Sequence, residues 1–156
     1  MAMQHHVVEL SGYLIKDGNF YMSFLTPSKR GEQSFISSFF QKHDFDSIEI
    51  CQNILIEYMK FVALKSFYGN IIVPSVDVDL MWHFHIIHSK KYRQMEELIS
   101  NFLGKPDFHM DHEPAMSEAD NEKHMVNYPT TLELYEQYFG EPSTTVWPEP
   151  RRRFST

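Results

Sequence analysis

The run Asp46-Ser47-Ile48-Glu49-Ile50-Cys51-Gln52-Asn53-Ile54-Leu55-Ile56-Glu57-Tyr58-Met59-Lys60-Phe61-Val62-Ala63-Leu64-Lys65-Ser66-Phe67-Tyr68-Gly69 decides the fold class. Asp46 is expected to cap a helix by accepting from the backbone N–H groups of its first turn, with Glu49 reaching back to the cap. Ile50, Ile54, Leu55, Met59, Val62 and Phe67 then recur at three- and four-residue steps, the spacing of a helix face rather than of a strand. Gly69 supplies the left-handed position that ends it. Cys51 lies inside this helix, where a small buried hydrophobe is its expected role.

Working outward, Glu32 to His43 reads as a shorter helix with Phe35, Ile36, Phe39 and Phe40 on one face. Tyr13 to Leu25 alternates loosely around Lys16-Asp17-Gly18-Asn19, whose Asp-Gly pair predicts a hairpin turn. Downstream, Pro74 introduces a helix from about Val76 to Phe102, closed near Gly104 and Pro106. Ser117 opens a short helix expected to stop before Pro129, and Thr130-Thr131-Leu132-Glu133 is read as a second capping box, starting a last helix that ends at Gly140. The expectation is one mainly α domain over residues 1–156, a compact helical bundle with a small N-terminal β-hairpin. Its core is about 32–140, with a hairpin and loop in 1–30 and a proline-rich tail in 141–156.

Composition bounds the function. Apolar residues make up 42% and aromatics 15% of 156 residues, enough for a core without disulfide staples. Cys51 is alone, so an internal bridge and thiolate zinc fingers are excluded, and any metal must be held by His and carboxylates. The net charge of −7 opposes nucleic acid and anionic lipid, and no nucleic-acid or membrane partner is expected. Arg151-Arg152-Arg153 is the one long basic run and is read as a solvated tail. No apolar stretch approaches the ~20 residues of a membrane span, and Met1 to His6 lacks the cationic flank and apolar core of a signal. A reduced, cytoplasmic setting is therefore expected. There is no G-x-S-x-G elbow, and the six glycines are isolated, so neither serine hydrolase chemistry nor a phosphate loop is expected.

The histidines carry the chemistry. Of nine, His83, His85, His88, His109 and His112 fall in one window with Asp77, Asp79, Asp107, Asp111 and Glu113. At about 100° per residue, Asp79 and His83 are about 40° apart on the helix wheel and converge. His83 and His85 differ by about 200° and face away from each other, which excludes them as joint ligands on a regular helix. His85 and His88 form a second pair on another face. A fold-back of His109-Met110-Asp111-His112 across the first pair would assemble Asp79, His83 and His112, two imidazoles and a carboxylate with open positions. That set suits catalytic zinc and also non-haem Fe(II). The plainer readings are that Asp79 complements its helix N-terminus and the histidines are hydrogen-bonded at the core margin, or that Asp79 orients His83 as a metal-free proton carrier. Trp82 is read as packing beside His83.

Pro74-Ser75-Val76-Asp77-Val78-Asp79-Leu80-Met81-Trp82-His83-Phe84-His85, continuing through Ile86 to Tyr92, resembles the glycine-rich domain-containing protein-like family in its D-x-x-W-H-x-H pattern. Phe102 to Pro114 and Thr131 to Gly140 look like that family's following blocks, so the likeness runs over roughly 35–147. The resemblance implies a helical domain and directs attention to Asp79, Trp82, His83, His85 and His112, without implying a reaction. Asp111 stands where the pattern would place another histidine, which argues against a three-imidazole site. Plant members often carry glycine-rich or RNA-binding-like extensions. Neither is seen in these 156 residues, and no RNA role is expected.

These readings combine into a small metal- or histidine-dependent enzyme acting on a small polar molecule, a hydrolase or lyase with zinc and an oxygen-using enzyme with iron. Asp79 and His83 would be ligands or an acid/base pair, His112 the closing ligand, and His85 a catalytic or substrate-facing donor. The alternative is a non-catalytic module with structural histidines, meeting a protein partner through an exposed patch at Trp147 and Phe154.

Overall fold

The computed structural model describes residues 2–16, 19–112 and 117–149, with side chains from His6 onward. The described residues form seven α-helices: α1 (Ala2–Lys16), α2 (Met22–Leu25), α3 (Phe35–His43), α4 (Ile48–Tyr68), α5 (Val76–Ile87), α6 (Ser89–Leu103) and α7 (Glu118–Phe139). A 3-10 turn, Gly69–Ile71, follows α4. Among the described residues there is no strand, and no helix is long and apolar enough to cross a membrane.

Helix α4 is the axis of the bundle, packing against α1, α3, α5 and α7. Its buried residues include Cys51, Ile54, Leu55, Glu57, Tyr58, Met59, Phe61, Val62, Ala63 and Leu64. These positions cover the helix on all sides, so α4 is a core helix and not one with a single apolar face. The cap is Ser47 and not Asp46: its hydroxyl accepts from the Ile50 N–H at 3.3 Å. Ser34, Ser75 and Ser117 cap α3, α5 and α7 in the same way, each accepting from the N–H three residues on.

Three sequence expectations are overturned. The N-terminal hairpin is absent: residues up to Lys16 are helical because Val7, Leu10 and Leu14 form a stripe at helical spacing that is wholly buried. The Asp17-Gly18 turn itself lies outside the described residues. The single helix expected over 76–102 is broken at His88, whose backbone (φ −92°, ψ 70°) ends α5 and opens α6. Its Nδ1 donates to the Phe84 carbonyl at 2.7 Å, occupying an acceptor of the preceding turn. Finally, α7 runs unbroken through Pro129. The proline removes one intrahelical donor, opposite Met125, which is exposed to water. Two positions on, Thr131 is no helix cap but a buried tie: its hydroxyl donates to the Asn127 carbonyl at 3.1 Å and accepts from the Val73 N–H at 2.9 Å.

One buried carboxylate joins α4 to α7 and to the segment beyond it. Glu57 Oε1 accepts from the Tyr135 hydroxyl and from Trp147 Nε1 at 2.9 Å, while Oε2 accepts from Lys60 at 3.3 Å. Trp147 is 1% exposed. The exposed aromatic patch expected there does not exist at Trp147, and Phe154 lies outside the described residues. Glu57→Ala strands two buried donors and is expected to cost about 3 kcal/mol in denaturant unfolding, with Glu57→Gln milder at about 1 kcal/mol because an acceptor oxygen remains.

Candidate metal centre

Pro74 and the Ser75 cap set the start of α5, and the helix repeat does the rest. Asp79 and His83, one turn apart on its outer face, lie with Oδ2 and Nε2 3.6 Å apart. The other carboxylate oxygen, Oδ1, is 2.8 Å from Nε2 of His112, which comes in from the loop after α6. The two imidazole rings stand 4.2 Å apart between centroids. One donor atom from each of the three side chains lies within 4.8 Å of the others. Asp79 and His83 are open to solvent, at 38% and 54% exposed, whereas His112 is 10% exposed.

His112 is delivered by a clamp on Met110, two residues earlier. The Met110 N–H donates to Glu96 at 2.9 Å, and its carbonyl accepts from the Tyr92 hydroxyl. That hydroxyl in turn accepts from Trp82 Nε1 at 2.9 Å. Both backbone groups of one loop residue are thus held by α6. Trp82 also packs edge-on against His112, 4.3 Å between ring centroids, so it walls the cluster as well as filling the core. Burial raises the Tyr92 phenol well above its ordinary value, which keeps it a donor. His109 stands outside the cluster, exposed beside Glu96 at 3.4 Å.

The cluster opens into a cleft of about 130 Å³ lined by Lys65, Asn70, Asp111, Asp120 and His124 together with Asp79, Trp82 and His112. Asp120 and His124, on α7, were not anticipated from the sequence. They repeat the Asp-x-x-x-His spacing of Asp79 and His83, and that repetition was a readable signal. Lys65 lies 5.4 Å above the Trp82 ring.

His85 does not join the site. The structure seals it in the core at 0% exposed, its Nδ1 sharing a 2.7 Å hydrogen bond with the Tyr58 hydroxyl and its Nε2 without a partner. Phe24, Phe35 and Tyr92 surround the ring. Facing away from His83, as the helix wheel requires, it faces away from the cleft too, and a substrate-facing role is withdrawn. Burial pushes its imidazole down to about 3. Cys51 is wholly buried and its thiol is pushed up to about 11 by burial, so it is no nucleophile at neutral pH.

Two expectations follow from this geometry. Tyr92→Phe removes the hydroxyl that binds the Met110 carbonyl and accepts from Trp82 Nε1, leaving the Glu96 bond to Met110 in place, and is expected to destabilise by about 2 kcal/mol, with faster amide exchange at Met110 than in the helices. For His85, the folded value lies below the unfolded ~6.5, so the unfolded chain binds the extra proton between pH 6.5 and about 3. Its contribution is complete above pH 6.5 and falls by up to about 1.4 kcal/mol per unit as pH drops through that window. His85→Phe should flatten the pH dependence of the denaturant midpoint there; an unchanged slope refutes the assignment.

No curated protein and no solved structure matches the chain. The matching stretch of the family comparison contains Asp79, Trp82, His83, His85 and the clamp residue Tyr92, but neither His112 nor the Asp120 and His124 pair. Residues 24–95, from α2 into α6, match the family described as glycine-rich domain-containing protein-like, and over that stretch the chain is similar to that family.

Proposed function

We propose that Asp79, His83 and His112 hold one divalent transition metal and that the chain is a small metal-dependent enzyme acting on a small polar molecule in the cleft. The observation that carries this is the convergence within 4.8 Å of three donors from two separate elements; two of the donors, Asp79 and His112, line a solvent-reachable cleft. Ligands about 2.0–2.1 Å from a tetrahedral zinc stand about 3.3 Å apart, and the present separations are 2.8 Å from His112 to Oδ1 of Asp79 and 3.6 Å from His83 to Oδ2, so side-chain rotation would bring one atom of each onto an ion. Two imidazoles and one carboxylate leave a coordination position for water, which a zinc ion would activate for hydrolysis or lyase chemistry. The polar lining, with Asp111, Asp120, His124 and Lys65 able to accept or donate protons, favours that chemistry over oxygen activation at iron. On this reading the Asp79-x-x-Trp82-His83-x-His85 run is the element characteristic of the family: two ligands, one wall and one core pin. The lone, buried cysteine supports a reducing, cytoplasmic setting.

A second reading rests on the same contacts. The 2.8 Å pair of Asp79 and His112 already satisfies both groups and ties the loop to α5, so the cluster would serve as a lock in a non-catalytic module.

Metal analysis of protein without a histidine tag, followed by zinc titration calorimetry, separates the two. The enzyme reading expects about one equivalent per chain, with Asp79→Ala, His83→Ala and His112→Ala each weakening zinc by about 100-fold or more while helicity is retained. Below neutral pH, affinity should fall as the imidazoles take protons that the metal must displace. A protein that takes up no zinc, and whose His112→Ala variant is merely less stable, supports the lock.

A further inference from the structure

Asp120, His124, Thr131 and Tyr135 lie within about 60° of one another on the wheel of α7, so one side of the helix presents all four. Thr131 and Tyr135 are buried, and they bond to Asn127, Val73 and Glu57. In the first two turns the same face holds Asp120 and His124 instead, both half-buried. Both line the cleft that Asp79 lines from α5 and His112 from the loop after α6. Beside them Met125 and Val126 are turned to water, 38% and 71% exposed. A helix that packs for stability alone does the reverse, apolar side in and polar side out. The Ser117 hydroxyl, accepting from the Asp120 N–H at 3.2 Å, sets the start of the helix and with it the direction of this pair.

We propose that His124 is the proton acceptor of the cleft: it takes the proton from an oxygen ligand as that oxygen binds an ion on Asp79, His83 and His112. The inference rests on the metal reading and adds a catalytic residue to it. In this step the O–H bond of a water or of a hydroxyl-bearing small molecule breaks. The oxygen keeps the electron pair for the ion, and the proton passes to a ring nitrogen of His124, which becomes imidazolium. Elimination among the lining residues selects His124. Asp111 and Asp120 are carboxylates, a class too weakly basic to hold a proton at neutral pH; Lys65 is an amine, a class that already carries one; and the His112 imidazole is engaged as a ligand. A histidine outside the ligand set changes charge near neutrality, so it can take the proton and return it. Asp120 precedes His124 by one helical turn, the spacing that brings Asp79 within 3.6 Å of His83, so the helix sets a carboxylate near the imidazolium that forms. The cleft volume of about 130 Å³ limits what it encloses to slightly less than benzene, which a cavity of about 150 Å³ accepts.

The test uses zinc and acetohydroxamic acid, a neutral zinc-binding molecule smaller than benzene that gives up its hydroxyl proton on binding. The zinc-loaded full chain is titrated with it by calorimetry near neutral pH in two buffers of different ionisation enthalpy, which yields the protons released per bound molecule. The unsubstituted chain should release about half a proton fewer than His124→Gln or His124→Ala, because the imidazole keeps it. Both variants should hold zinc within about threefold of the unsubstituted affinity and keep their helicity, since His124 is no ligand and lies on a half-exposed face. Equal proton release from all three chains overturns the proposal. So does a loss of zinc affinity of about 100-fold in both variants, which would make His124 a ligand, and so does a zinc-loaded chain that does not bind the hydroxamic acid at about 10 mM. An unsubstituted chain that takes up no zinc overturns the metal reading itself, and the role of His124 with it.

Discussion

A helix buried on all sides must find partners for every polar group it carries, and α4 carries two side by side, Glu57 and Tyr58. Neighbouring helix residues point about 100° apart, so each recruits a different part of the molecule. Glu57 gathers Tyr135 from α7 and Trp147 from the segment beyond it. Tyr58 takes His85 from α5. The bundle is therefore organised by two polar demands within an apolar axis as much as by apolar burial itself. An unmet donor or acceptor here costs as much as a lost core methyl group or more, which is why these contacts are paired while looser ones at the surface are not.

The second of these demands positions the cluster of Asp79, His83 and His112. With His85 turned inward to Tyr58, residues two before and six before it on the same helix are turned outward, and these are His83 and Asp79. His88, three residues after His85, bonds back to Phe84 and breaks the helix, and α6 starts in a new direction. That turn sets Tyr92 where it meets the Trp82 indole and Glu96 where it meets Met110. The loop is thus held at Met110, and His112 falls opposite Asp79. Each step is a local bond, and their product is a contact between residues 33 apart in the chain.

Much of this was readable in the sequence, and the failures have separate causes. The periodicity of α3 and α4 and the helix start at Ser117 are local signals, the cap expected at Asp46 falls one residue on at Ser47, and the convergence of Asp79 with His83 follows from helix geometry alone. The fold-back of His112 was one option among several, because a loop of irregular residues leaves its path to the Tyr92 and Glu96 contacts that only the folded chain shows. The hairpin expectation failed because Asp17-Gly18 is a strong local turn signal while the buried stripe of Val7, Leu10 and Leu14 begins upstream of the alternating window and runs into it. Pro129 failed for a different reason. A proline costs one donor, but Thr131 binds both its own helix and Val73, and tertiary bonding outweighed the local preference. Trp147 was placed on the surface because prolines surround it in sequence; nothing local signals that Glu57, ninety residues away, offers its indole an acceptor.

The charge of the cleft bears on what it could hold. Asp79, Asp111 and Asp120 face a single cation, Lys65, which leaves the lining two negative charges in excess while the imidazoles are neutral. Such a lining disfavours an anionic ligand and favours a cation, the more so inside a partly enclosed space where water screens less. A divalent ion on Asp79, His83 and His112 would bring that balance to neutrality. On the proposed reading, binding is therefore ordered: metal first, and only then a neutral or zwitterionic small molecule.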